Sequence, residues 1–179
     1  MTPMEAASRL GWNAGGWGAA QREEVRRTLV EAGLGSVALV LDEVARCPRA
    51  EVCDEAVLVL AGLLDLPEAA GAFRAALDDD CRKPGASVVR RVIVQTLGHA
   101  TATATGAGSW AWATTDLDDL LFRDPDPDVR SHAAWAIANI GVKGELTMLR
   151  KALGREKDPA VHLEIAAAIE DLETRPEGR

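Results

Sequence analysis

The stretch Asp124-Pro-Asp-Pro-Asp-Val-Arg130 and the apolar residues behind it decide the fold. From Val129, apolar residues recur at offsets of 4, 7/8 and 11: Ala133, Ala136, Ile137 and Ile140. This spacing is the stripe of an amphipathic helix. The turn before it is rich in proline and aspartate, and we expect Asp128 to be the N-cap residue of the helix, as Asp158 is before Pro159.

The same phase recurs along the chain from Val52, Val89 and Val161, and a weaker copy starts at Val25 and breaks off at Gly33. Successive valines lie 27 to 40 residues apart, and each interval holds a second, shorter apolar-periodic run. The repeating unit is therefore a helix, a turn, a second helix and a turn. Because neither helix of a pair can bury its stripe alone, successive pairs must stack. We predict an all-α fold, a right-handed α-solenoid of about four to five antiparallel helix pairs.

These residues resemble a known family. Asp124–Arg130 with Ala133-Ala134 and Ala138-Asn-Ile-Gly141 is similar to a HEAT repeat of the short bacterial type, akin to the bilin-lyase HEAT-like repeats. The resemblance implies an armadillo-like α-α superhelix. It also implies a ladder between repeats, in which an arginine after the marker valine pairs with a turn aspartate. Residues at these ladder positions are Arg26, Arg90, Arg130, Asp124 and Asp128, whereas Cys53 and His162 depart from the pattern.

Three segments depart from the repeat. Residues 1–20 are predicted to form a short helix and a Gly/Trp loop, with Trp12 and Trp17 capping the open end of the solenoid. Residues 21–174 form the solenoid, interrupted at 101–115 by an insertion rich in Thr, Ala and Gly. Residues 175–179 are a polar tail that we expect to fray.

Composition and charge restrict the class of protein. The formal net charge is −8, which favours a basic partner and argues against nucleic acid and anionic membranes. No signal-peptide pattern and no long apolar run are present, so we expect a cytoplasmic protein. The excess of arginine over lysine, together with abundant alanine and glycine, suggests a bacterial source. The odd cysteine count fits a reducing compartment: Cys47, Cys53 and Cys81.

No motif for metal, cofactor or catalysis is evident, and we expect none of the three. Asp124, Asp126 and Asp128 have the spacing of a calcium loop but lack its glycine and its final glutamate. The histidines have no neighbouring glutamate, and the cysteines have no metal spacing. An acidic pocket for general acid–base chemistry remains a weaker alternative.

Tryptophans are the best functional lead. Trp135 is predicted on the outward face of its helix, so that it is either covered by Trp110 and Trp112 of the insertion or forms a partner-binding patch with them. We therefore expect a non-enzymatic scaffold or adaptor that binds another protein on its concave face. The other candidate contact residues are Glu68, Arg74, Asp78, Asp118, Asp119, Arg123, Glu145, Arg150 and Lys151. The alternatives are a lyase-like enzyme or carrier for a bulky apolar molecule, with a pocket under the insertion, and a nucleic-acid-binding repeat.

Overall fold

The computed structural model describes residues 1–13, 18–64, 66, 68–78, 85–103, 111–140 and 143–175, and all regular structure in these residues is helical. The α-helices are α1 Pro3–Asn13, α2 Ala19–Glu31, α3 Gly35–Arg46, α4 Ala50–Ala61, α5 Ala69–Leu77, α6 Ala86–Thr103, α7 Ala111–Arg123, α8 Pro127–Ile140, α9 Leu146–Leu153 and α10 Pro159–Thr174. A short 3₁₀ helix, Lys143–Glu145, precedes α9. The prediction of an all-α chain is confirmed for the described residues.

The chain divides into two compact units, Met1–Thr96 and Leu97–Arg179. In the second unit α8 packs on α10 and α7 on α9, while α7 also contacts α8 and α9 contacts α10. This is the stacking of helix pairs that the repeated stripe predicts. The stripe supplies the core, since Val129 and Ile137 of α8 and Val161 and Ile165 of α10 are at most 1% exposed.

The first unit follows the same plan. Helix α2 packs on α4, α3 packs on α4 and α5, and α1 packs on α2, α3 and α4. Ala6, Ala7 and Leu10 of α1 are buried, so α1 itself covers the end of this helix array. Residues 14–17 and the side chain of Trp12 lie outside the described part of the chain, and with them the predicted tryptophan cap.

Four of the five marker valines are buried as predicted, with exposures of 0 to 2%: Val25, Val52, Val129 and Val161. Val89 is only half-buried. Helix α6 is instead anchored by Ile93 and Leu97, which are fully buried four and eight residues further along. The stripe is therefore present in α6 but is shifted toward the middle of the helix.

Two helix N-termini are capped by residue types that the sequence favours there, whereas a third is not capped by the residue that we predicted. Thr2 and Glu5 exchange backbone-to-side-chain hydrogen bonds of 2.8 and 3.2 Å and form a capping box. Asp158 accepts hydrogen bonds from the amides of Ala160 and Val161, which confirms it as an N-cap. The prediction for Asp128 was wrong. Asp126 accepts a hydrogen bond from the Asp128 amide, and Pro127 is the first residue of α8.

The inserted segment at 101–115 is partly helical. Helix α6 continues through Thr103 and α7 begins at Ala111, while residues 104–110 lie outside the described part of the chain. Residues 176–179 of the predicted tail lie outside it as well. Among the described residues, no helix has the length and apolar character that crossing a bilayer requires.

Candidate functional site

A polar cleft lies at the turn edge of the second unit, where the α7–α8 turn adjoins the α9–α10 turn. Its volume is about 380 Å³, within the range of small-ligand sites. We call it the turn cleft. It is lined by Leu121, Phe122, Arg123, Asp124, Arg130, Ala152, Arg155, Glu156 and Lys157.

A partly buried ion pair holds the two turns together. Arg130 donates from Nε and Nη2 to the carboxylate of Glu156 at 2.8 and 3.1 Å, a bidentate geometry. Its Nη1 donates to the carbonyl of Asp124 at 2.9 Å. Glu156 also accepts hydrogen bonds from the backbone amides of Lys157 and Asp158. One arginine of α8 therefore joins the turn before its own helix to the turn before α10.

This pairing fixes the charge state of both partners. Hydrogen bonds from Arg130 lower the pKa of Glu156 from its ordinary value of 4.5 to about 2, against the opposing effect of burial. The same bond raises the pKa of the Arg130 guanidinium. Both groups stay ionised across the neutral range, and their charges cancel inside the cleft.

The remaining cations give the turn cleft a positive lining. Arg155 and Lys157 are exposed, and Arg123 is exposed apart from a 3.2 Å pair with Asp119 on its own helix. Such an exposed ion pair contributes little to stability. The Arg123 side chain can therefore turn toward the cleft at a small cost in free energy. Asp124 is 7% exposed and points its Oδ1 at the Asp126 amide.

Phe122 is a half-buried aromatic ring in this cationic lining. The Nζ of Lys151 lies 5.8 Å from its ring centroid, and the Cζ of Arg155 lies 5.9 Å from it. These distances are at the outer limit of a cation–π contact. The cleft therefore combines an aromatic surface with mobile positive groups.

The predicted tryptophan patch is only partly described. Trp110 and the side chain of Trp112 lie outside the described residues. Trp135 is half-buried, and its ring meets the His99 ring edge-on at a centroid distance of 5.1 Å. A Cβ on Gly98 would overlap the Trp135 ring. The indole is therefore packed on the end of α6, over a position without a side chain.

The predicted concave-face residues fall into separate groups in the second unit. Arg123 and Lys151 lie at the turn cleft, whereas Arg150 forms an exposed ion pair with Glu173. Asp118 and Glu145 are half-buried and interact electrostatically with each other. Burial raises the pKa of both carboxyls, and Asp119 raises that of Asp118 further.

In the first unit, the predicted contact residues lie along or beside the short helix α5. Glu68 precedes the helix with a positive φ of 69°, Arg74 is within it, and Asp78 follows it. All three are exposed. A separate groove of about 560 Å³ between α3, α5 and the start of α6 is lined mostly by alanines and aliphatic residues. Most of the residues that would line the pocket predicted under 101–115 lie outside the described part of the chain.

Two of the predicted ladder arginines, Arg26 and Arg130, form ion pairs between neighbouring elements of their own units. Arg26 of α2 pairs with Glu55 of α4 at 3.3 Å, and Arg90 is 4% exposed. For Arg130 the acceptors are the Asp124 carbonyl and the carboxylate of Glu156 in the next turn. Glu156 takes the place of Asp124 in the following repeat, so Arg130 connects equivalent positions of two successive turns.

Four cleft residues were not predicted from the sequence, although an alignment of two turns indicates their position: Phe122, Arg155, Glu156 and Lys157. Arg123-Asp-Pro-Asp126-Pro aligns with Arg155-Glu-Lys-Asp158-Pro in the repeat register of Val129 and Val161. Residues at equivalent turn positions become neighbours when repeats stack. The two arginines were therefore predictable as one group.

In the part of the chain that the structure describes, the thiols and imidazoles do not form a common site. Cys47 is half-buried and its Sγ accepts a hydrogen bond from Arg49, while burial raises the pKa of the Cys53 thiol. Cys81 lies outside the described residues. His132 donates from Nδ1 to the carbonyl of Asp128 on its own helix. In the described ranges, no group of three or more His, Cys, Asp and Glu side chains is placed to hold a metal ion.

Comparison with known proteins gives a family match and two curated relatives. Residues 114–177 match the model for HEAT repeats. The chain is 46% identical over 57 residues to epoxyqueuosine reductase of Bacillus subtilis, covering 32% of this chain and 15% of the reductase. It is also 46% identical over 57 residues to an uncharacterized protein in the gldA 3′ region of Geobacillus stearothermophilus, covering 32% of this chain and 26% of that protein.

A solved epoxyqueuosine reductase, crystallised with an epoxyqueuosine-modified tRNA-Tyr stem loop, is similar at 29% identity. The similarity covers 70% of this chain and 32% of the reductase, with a TM-score of 0.45. The chain thus spans between about a seventh and a third of the relatives it matches.

The relation to an enzyme corrects the sequence analysis. The expectation of a non-enzymatic protein–protein scaffold was wrong, since the 57-residue match links the chain to epoxyqueuosine reductase. The resemblance to HEAT repeats is confirmed by the match at residues 114–177. Residues 114–177 are thus HEAT repeats, and the regular structure of the described residues is all helical, as in an α-solenoid.

Proposed function

We propose that this chain takes part in the enzymatic modification of tRNA, as a HEAT-repeat module that holds the RNA substrate. The observation that carries the proposal is the 46% identity to Bacillus subtilis epoxyqueuosine reductase over 57 residues. One reductase of that name was solved with a modified tRNA stem loop, which shows that this enzyme binds RNA. Because the chain spans 15% of the Bacillus reductase, we assign it substrate holding and leave the reduction to the reductase.

The turn cleft supports this role electrostatically. RNA binding needs positive groups that contact phosphates, and arginine suits phosphate because its planar fork donates two parallel hydrogen bonds. Arg123, Arg155 and Lys157 line the cleft, while Glu156 is neutralised by Arg130. The net charge of −8 led us to disfavour nucleic acid. Salt screens exposed charges beyond about 8 Å, so a phosphate in the cleft responds mainly to these nearby cations.

Fluorescence anisotropy with a labelled tRNA anticodon stem loop tests the proposal. We expect saturable binding that weakens as the salt concentration rises, and weaker binding by the double variant Arg155→Ala/Lys157→Ala. The matched control is Arg9→Ala/Arg27→Ala, which removes two exposed cations of the first unit. The control should bind as the unmodified chain does.

Two results would count against this function. The first is the absence of stem-loop binding by the unmodified chain at low salt. The second is an equal loss of affinity in the cleft variant and the matched control, which would indicate nonspecific charge attraction. Circular dichroism of each variant establishes that its helices are intact.

A further inference from the structure

Phe122 is the feature of the turn cleft that phosphate binding leaves unexplained. Its ring is half-buried among cations, at the end of α7 next to the α9–α10 turn. Phosphate recognition alone needs charge and no aromatic group. An aromatic surface beside positive groups is instead the arrangement with which proteins bind single-stranded nucleic acid, since bases stack on the ring and phosphates pair with the cations.

We propose that the turn cleft binds one unpaired nucleotide of RNA, with its base stacked on Phe122 and its phosphate held by Arg155 and Lys157. This inference rests on the proposed function and specifies which part of the RNA the chain contacts. A paired base is stacked within a duplex and cannot enter a cleft. A loop or bulge nucleotide can be turned outward into it.

The geometry leaves the Phe122 ring available to a base. Lys151 and Arg155 lie at 5.8 and 5.9 Å from the ring centroid, and both are exposed side chains on flexible stems. They can move aside at little cost, because a cation–π contact in solvent is weaker than stacking of a base. Arg155 then remains next to the nucleotide and can turn its guanidinium to the phosphate.

The wall of the cleft is fixed, in contrast to these mobile cations. The Arg130–Glu156 pair is 17% and 8% exposed, and Glu156 is held by two backbone amides as well. The ion pair sets the spacing of the two turns before any ligand binds. A preformed cleft of about 380 Å³ has the size of a small-ligand site, so a nucleotide does not have to order it.

The decisive variant is Phe122→Leu, which keeps the apolar volume and removes the aromatic face. We expect it to weaken binding of a hairpin RNA about tenfold and to leave binding of a blunt RNA duplex of equal charge unchanged. The dependence of affinity on salt should stay the same, since no cation is lost. Lys157→Ala should weaken the binding of both RNAs. The slope of log affinity against log salt concentration should become shallower by somewhat less than one.

A matched control is Leu163→Ala, which truncates a 71% exposed apolar side chain of α10 and should change neither affinity. Titration with uridine 5′-monophosphate, followed by NMR of the Phe122 ring protons, tests the cleft without RNA. We expect ring protons to shift upfield under a stacked base.

The outcomes separate this inference from the proposed function. Hairpin binding that Phe122→Leu leaves unchanged would overturn the stacked nucleotide while RNA holding stands. If the chain binds no RNA but the Phe122 ring protons shift when the nucleotide is added, RNA holding is overturned and the cleft is supported as a nucleotide site. Failure of both measurements would overturn both proposals.

Discussion

The ion pair between Arg130 and Glu156 gives the sharpest test of how the second unit is held together. Glu156→Gln removes the negative charge, while the substituted amide oxygen can still accept the two backbone hydrogen bonds. The drop in the Glu156 pKa from 4.5 to about 2 corresponds to about 3 kcal/mol, at about 1.4 kcal/mol per pKa unit. Because the two side chains are only 8% and 17% exposed, solvent screening reduces this estimate little. We expect the variant to lose up to about 3 kcal/mol of unfolding free energy at pH 7, because part of the shift comes from the backbone hydrogen bonds that it keeps.

The sign of the pH dependence follows from the direction of the shift. A carboxyl whose pKa is lowered by folding stabilises the protein fully above its unfolded pKa and loses that contribution as the pH falls. The stability difference between the unmodified chain and Glu156→Gln should therefore be constant above about pH 6 and less than half as large at pH 3. Urea unfolding followed by circular dichroism measures this difference at each pH.

Glu173→Gln is the matched control. Its partner Arg150 lies at 2.6 Å, a shorter contact than the 2.8 Å of Arg130 and Glu156, but the side chains are 60% and 45% exposed. Burial decides the energy of an ion pair more than its length, so this variant should lose no more than about 0.5 kcal/mol. Equal losses in the two variants, or a difference between Glu156→Gln and the unmodified chain that does not vary with pH, would refute the reasoning.

Three further substitutions test other parts of the second unit. Gly98→Ala should lower the unfolding free energy by about 1 to 3 kcal/mol although alanine favours helices, because its Cβ overlaps the Trp135 ring. In thermal unfolding experiments, adding Trp135→Leu should restore part of the lost stability. Asp118→Asn should raise the melting temperature at pH 7, since burial and Asp119 disfavour the charged carboxyl. This gain should vanish in acid, where the carboxyl of the unmodified chain is protonated. In the same variant, NMR titration should show a lower pKa for Glu145. Asp158→Ala should cost about 1 kcal/mol by removing the N-cap of α10, and an unchanged midpoint in urea would contradict that role.

The helices and their pairing could be predicted because they follow from local periodicity. The offsets from Val129 and Val161 place the same stripe on α8 and α10, and those side chains form the core. The error at Asp128 was avoidable. Asp126-Pro127 is the counterpart of Asp158-Pro159, and an aspartate directly before proline at the first helical position is the N-cap in both cases.

The environment of Trp135 could not be predicted from the pattern of its own helix. Helical periodicity places it away from the stripe, which indicates an exposed or partner-covered ring. The structure packs it on α6 because Gly98 offers no side chain there. That fit depends on two residues in different helices, and no periodicity within one helix contains the information.

The turn cleft carries local positive charge although the net charge of the chain is −8. Stacking brings equivalent turn positions together, so the charges of Arg123 and Arg155 add at one edge. Of the acids that line the cleft, Glu156 is paired with Arg130, and Asp124 accepts a hydrogen bond from the Asp126 amide of its own turn. Much of the negative charge lies elsewhere, as at Asp118 and Glu145. For the RNA partner proposed above, the charge at one repeat position, summed over neighbouring repeats, therefore indicates the binding edge better than the total of −8 does.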